Sequence, residues 1–268
     1  MKIILHKNAI IAKLALCKSL AIRDVKVRYA GSSLGMLWNF VHPLVLFVTY
    51  YFICAHIFRL KLQNPDYSYA EYLFSGLWPW IVFSEAISRC CGIYVENAQI
   101  IKKVMFPIEV LVPSVVFSHT FYLLFGFLPI IFYRGLTAET VSFFNYISGL
   151  WVLGFGLLAF IFITIGLGWI VAAFTVFFRD LQQFVQVILN LWFYATPILY
   201  PVELVPTKFR TILACNPLSY IIGCLRCYLL GAHECMGVVL SAIAIGLVVL
   251  VVGISVVGKF DIHVRASL

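Results

Sequence analysis

An all-α integral membrane fold is predicted by three observations. The 268 residues are 63% hydrophobic and 11% charged, with a mean hydropathy of +1.02, and a soluble core cannot hide that much apolar surface. The apolar runs are about twenty residues long and parted by short charged breaks, unlike the roughly ten-residue alternating segments of a membrane β-barrel. Lys and Arg gather in alternate breaks, which orients a chain across a membrane. Together these predict six transmembrane helices, a basic amphipathic helix before the first, and re-entrant helices between the fifth and sixth.

Residues 1–35 hold seven Lys or Arg and one acid. Ile10, Ile11, Leu14, Cys17, Ala21, Ile22 and Val25 fall within an arc of about 140° at about 100° per residue, the pattern of a helix lying at the membrane surface. Lys18 intrudes on that arc, and Leu16 and Leu20 lie off it. A cleaved signal is not expected, because Lys7, Lys13 and Lys18 interrupt the apolar region. The predicted spans are 36–58, 72–94, 109–133, 145–178, 183–200 and 236–257, within one domain of 1–268. Asn64, Pro65 and Asp66 mark a turn after the first span. Segment 96–107 is too short to cross, but Ile100, Ile101, Val104 and Met105 share a helical face opposite Lys102 and Lys103. Gly149, Gly154, Gly156, Gly166 and Gly168 in the fourth span allow close helix approach. Arg179 and Asp180 turn the chain into the fifth, which Pro197 and Pro201 should end. Residues 201–231, broken by Pro217 and carrying Arg210 and Arg226, are too apolar for a solvated loop. A re-entrant hairpin and an outer loop with an interfacial helix both fit, and the hairpin is the expectation.

With both termini cytoplasmic, the inner segments carry twelve Lys or Arg and the outer ones six. This bias accounts for the net charge of +8 without nucleic acid as a partner. No internal repeat suggests an inverted-repeat transporter. No GxxxxGK[ST] phosphate loop occurs, and Gly258-Lys259-Phe260 is not one, so ATP hydrolysis is not expected of this chain. Cys224 and Cys227 form a lone CxxC without the partners of a zinc site, so no metal is expected. Four of the eight cysteines lie between Cys215 and Cys235, on the predicted oxidising face, where a disulfide is possible.

Glu85 and Arg89 are four residues apart within a span, where each charge costs about 2.5 to 3.5 kcal/mol at the bilayer centre. They are either a mutually neutralising pair or part of a translocation path. Trp38, Tyr50, Trp192 and Tyr194 are candidates for the same path, since aromatic faces bind sugar rings, although aromatic belts at span ends share this composition. His42, His56 and His119 stand without a carboxylate or Cys at motif spacing, so buried, satisfied imidazoles are expected rather than catalysis.

Five stretches carry a resemblance to a known family: RDVKVRYAGSSLGMLWNFVHPL (23–44), IIKKVMFP (100–107), and FFRD (177–180) followed by WFYATPILYP and NPLSYII. Across nearly the whole chain the sequence resembles type-2 ABC transporter permeases that export bacterial polysaccharides, the O-antigen exporters foremost, with capsule and teichoic acid exporters as near relatives. The resemblance implies a homodimeric, multi-pass permease of the bacterial inner membrane that passes lipid-linked polysaccharide outward. It implies two copies of a separate ATPase subunit, which would bind the ATP and Mg. Glu96, Ile100, Ile101, Lys102, Lys103, Val104 and Met105 would then be the coupling helix, although a helix resting on lipid has the same amphipathicity. Arg23, Asp24, Arg28 and Tyr29 would belong to an interface helix, and Asn216, Pro217, Tyr220 and Arg226 to the outer gate. A small-molecule or drug exporter permease would share the architecture. A polyprenol-linked membrane transferase would need a carboxylate pair that the eleven acids, mostly in loops, do not supply.

Overall fold

The computed structural model describes residues 2–28, 35–60, 62, 67–103, 106–137, 143–230 and 236–267. Helices make up almost all of it, and no strand occurs among the described residues. The order is α1 (Lys2–Arg28), α2 (Trp38–Tyr51), α3 (Tyr69–Glu96), α4 (Ala98–Lys103), α5 (Leu111–Thr137), α6 (Phe143–Phe177), α7 (Leu181–Tyr194), α8 (Thr207–Ala214), α9 (Pro217–Leu230) and α10 (Met236–Ser267). Tyr29, Val104 and Met105, and the side chains of Arg28 and Lys103, lie outside the described part.

Helix boundaries follow local chemistry. Ser68 opens α3 with a capping box: its hydroxyl accepts the Glu71 amide while the Glu71 carboxylate takes the Ser68 N–H at 2.7 Å. Helix α7 stops at Tyr194, three residues before Pro197, because proline excludes the helical conformation from the residue before it. A wide helical turn over Phe52–Ile57 extends α2, and Arg59 just after it adopts φ 51°.

Among the described residues, four segments are long and apolar enough to cross a bilayer: Trp38–Ile57, Ile108–Pro129, Leu150–Phe177 and Met236–Phe260. The pair α8 and α9, bent by 88°, makes a fifth if counted as one broken span. The two other predicted spans fall short of this measure. Helix α3 is long but carries Glu85 and Arg89, and α7 has only 14 residues, about 21 Å of a roughly 30 Å hydrocarbon core.

The helices enclose two apolar clusters. One packs α3, α6, α7 and α9 around Phe83, Phe160, Ile198 and Ile221. The other lies toward the α3–α4 junction and holds Tyr94, Ile101, Ile108 and Val112 with Val257 and Val264 of α10. Helix α1 packs on α5 through Cys17, which is buried, with Leu16 and Leu20 half-buried beside it. The predicted arc is thus split: Cys17, Ala21 and Val25 face protein, whereas Ile11, Leu14 and Ile22 are exposed. Contact with α5, which a helical wheel cannot reveal, brings in the two leucines that lay off the arc.

Candidate functional site

Three groups of polar side chains interrupt this apolar body. The first surrounds α4. Two turns from the end of α3, Arg89 Nη1 donates to both Glu96 carboxylate oxygens at 2.6 Å, and its Nε lies 3.4 Å from Asp24 Oδ1 on α1. Asp24 Oδ2 also accepts from Ser118 Oγ of α5 at 3.3 Å. Next along α1, Arg23 donates to Asn97 Oδ1 at 3.2 Å. Asn97 caps α3, and its carbonyl accepts the Ile100 and Ile101 amides that begin α4. Beyond α4, Lys13 of α1 binds Glu109 at 2.7 Å. On α4 itself Ile100 and Lys102 face outward, whereas Ile101, at 3% exposure, is part of the chain's own core.

The second group runs along α7, which has three sides. Val185, Leu189 and Phe193 are buried. Gln182, Gln186, Asn190, Gln183 and Tyr194 occupy the adjoining sector of about 120°, all exposed. Phe184, Val187, Ile188 and Leu191 form the third side, exposed and apolar. Facing the amide sector, Ser88 Oγ of α3 accepts from Gln186 Nε2 at 2.6 Å, and Glu85 Oε1 lies 3.7 Å from His42 Nδ1 of α2. Exposed amides need a polar neighbour or water, because an apolar surrounding cannot satisfy them. Ser84, Glu85, Ser88, Gln186, Asn190 and His42 form a polar patch between α2, α3 and α7, the only such side of α7 and the groove of the reading below.

At the far end of α7, the third group holds irregular backbone in place. Asn216 Oδ1 accepts from the Leu218 amide at 3.0 Å and Trp192 Nε1 at 2.9 Å, while its Nδ2 donates to the Ala195 carbonyl and Thr196 Oγ1. Pro217 sits at the first position of α9, where its missing N–H costs nothing. Arg226 donates to the carbonyls of Pro197 at 2.6 Å and Ile198 at 3.1 Å, and to Tyr72 Oη at 3.0 Å, with its guanidinium 3.8 Å over the Tyr72 ring. The Tyr69 and Tyr72 hydroxyls donate to the Leu199 and Tyr200 carbonyls. Side chains thus satisfy the carbonyls of the irregular segment that follows α7, which has no helical partners for them. Cys224 is free and buried, whereas Cys227 is disulfide-bonded; Cys235 lies outside the described residues.

Residues 15–230 match the family described as ABC-2 type transporter. The chain belongs to that family. Among curated proteins, this ABC-2 transporter is 33% identical over 244 residues to the O-antigen export system permease protein RfbA of Klebsiella pneumoniae, covering 88% of each chain. It is 33% identical over 208 residues to the protein of the same name in Myxococcus xanthus, covering 75% of this chain and 74% of the relative. The polysialic acid transport protein KpsM of Escherichia coli is 22% identical over 240 residues, covering 89% and 90%.

Several of the transporter's predicted site residues have partners other than the expected ones. Arg89 binds Glu96 and Asp24, not Glu85, which lies instead beside His42. Trp192 turns from the groove to Asn216 and packs edge-on against Phe83 at 5.8 Å. Trp38 and Tyr194 are exposed, and Tyr50 packs on Phe193 at 5.4 Å. Tyr220 is half-buried. His119 is buried as expected, its Nδ1 2.7 Å from the Val115 carbonyl, but His42 and His56 are exposed, His56 stacking on Phe52. Sequence reasoning passed over the α7 amides; their recurrence at 182, 186 and 190 was the available signal.

Proposed function

We propose that this ABC-2 transporter is the membrane-spanning permease subunit of an exporter that passes lipid-linked polysaccharide of the O-antigen kind across a bacterial inner membrane. The observation that carries this reading is 33% identity over 88% of both chains to a protein named as an O-antigen export permease. The groove is chemically suited to such a cargo, since amides, hydroxyls and the adjoining Tyr194 ring offer hydrogen bonds and an aromatic face to successive sugars. In this reading α3, and α7 with the chain to Tyr200, complete six spans, both termini are cytoplasmic, and α8–α9 form a re-entrant outer gate. A second copy covers the exposed apolar side of α7 and closes the groove into a channel. ATP and Mg are bound by a separate ATPase subunit, present twice, which receives α4 in a cleft.

Deleting the gene and measuring lipid-linked polymer on each side of the membrane tests the reading. Polymer should accumulate on the cytoplasmic side, and undiminished arrival outside would refute export. The coupling assignment has its own test. Ile100, at 39% exposure, is the apolar side chain that α4 offers a partner, so Ile100→Asp should weaken ATPase association by roughly tenfold, the effect of losing about 1.4 kcal/mol. Co-purification at wild-type affinity would place the docking site elsewhere.

A further inference from the structure

We infer that Arg89 is a positioning residue for energy coupling, not part of the translocation path: it ties α1 to the end of α3 from which α4 starts. The inference rests on α4 being the ATPase docking element. A charge inside a span is by default a candidate for the path, but the donors of Arg89 point to Glu96 and Asp24. Those two acids belong to different elements. Asp24 lies on α1 and also meets Ser118 of α5, while Glu96 is the last residue of α3, immediately before the cap that opens α4. Arg23 holds that cap, Asn97, directly. Since Lys13 holds Glu109 beyond α4, α1 is fastened on both sides of the docking element. Ten residues of helix separate Lys13 from Arg23, about 15 Å, so α1 acts as a splint. Thrust on α4 then moves α1 and the cytoplasmic ends of α3 and α5 together.

Gly92 makes the clasp possible. Arg89 and Glu96 are seven residues apart, hence on one helix face but about 10 Å apart along it, and Gly92 lies between them. A Cβ there would stand 2.8 Å from Glu96 Oε1. Gly92→Ala therefore obliges this flexible carboxylate to shift while retaining every charge and favouring the helix.

The test compares Arg89→Ala and Gly92→Ala with wild type in the complex with its ATPase subunit. Both variants should assemble and hydrolyse ATP, with polymer exported per ATP reduced about tenfold, the size of an ordinary coupling between sites. Spin labels on unnatural residues at Lys26 and Lys102 supply a readout that needs no cargo. Their separation should stay narrow through nucleotide binding in wild type and broaden in both variants. Unchanged distances overturn the inference even if the wild-type complex exports no polymer, a result that would refute the export reading alone. Loss of export and hydrolysis only in proportion to lost protein would also overturn it, by making Arg89 merely structural.

Discussion

Gly166→Leu is expected to leave little folded transporter, and Gly166→Ala to lower its stability measurably. Helices α6 and α10 cross with their backbones in contact. A Cβ on Gly166 would strike the Val249 carbonyl oxygen and stand 2.8 Å from the Leu250 nitrogen, and one on Gly253 would stand 2.6 Å from the Gly166 carbonyl oxygen. Backbone at a helix crossing cannot rotate away as a side chain does, so the helices must separate. Overpacking of this kind costs roughly 1 to 3 kcal/mol for a methyl group and more for an isobutyl. Alanine recovers up to about 1 kcal/mol as a better helix former. A net loss of about 1 to 2 kcal/mol should lower the Tm of the detergent-solubilised protein by about 2 to 8 °C. Gly154 supplies the control, because a Cβ there meets nothing within 4 Å; Gly154→Ala should be neutral or slightly stabilising. Equal Tm values for the Gly166 and Gly154 variants would refute the backbone contact.

The close approach of the fourth predicted span to a neighbour was legible in its glycines, but which glycine touches backbone was not, since that depends on the crossing point of α10. The same limit applies around α4. Spacing places Glu85 and Arg89 on one helix face, yet Glu96 lies on that face too, and Gly92 leaves the space for its carboxylate to fold back. Asp24 then arrives from α1, a contact that needs the tertiary fold. Ile100 and Ile101 look equivalent in the amphipathic pattern, but Ile101 packs with Tyr94 and Ile108, because α4 lies on the second cluster instead of standing free. Apolar periodicity marks α7 as a helix but counts its amides only as gaps, so the hydrophilic side stayed hidden. Arg226 was legible as an anomaly, a cation in an apolar segment. Its role was not, because its acceptors are backbone carbonyls, which every sequence has.

Replacing Arg226 by leucine should cost on the order of 4 kcal/mol, since a hydrogen bond to a charged group contributes about 1.5 to 3 kcal/mol and an abandoned buried acceptor adds its own penalty. The Ile198 carbonyl loses its donor, the Pro197 carbonyl keeps only the Tyr72 hydroxyl at 3.3 Å, and the guanidinium no longer covers the Tyr72 ring. No carboxylate among the described residues pairs with Arg226, so the charge is balanced by carbonyl and hydroxyl dipoles alone. Lysine would keep the charge but lose the planar fork that reaches α3 and the 197–198 backbone together, so Arg226→Lys should recover only part of the loss. Arg210 is the internal comparison: it also donates to two backbone carbonyls, those of Glu203 and Val205, both at 2.9 Å, but on an exposed surface. Water replaces its bonds, so Arg210→Leu should cost under about 1 kcal/mol. Amide hydrogen exchange across 195–200 separates the two cases. In Arg226→Leu these amides should exchange at least tenfold faster, as the segment loses its anchor to α9, while Arg210→Leu leaves them unchanged. If both variants behave alike, the irregular backbone beyond α7 is held by Asn216 and the tyrosines, and the fork of Arg226 is dispensable.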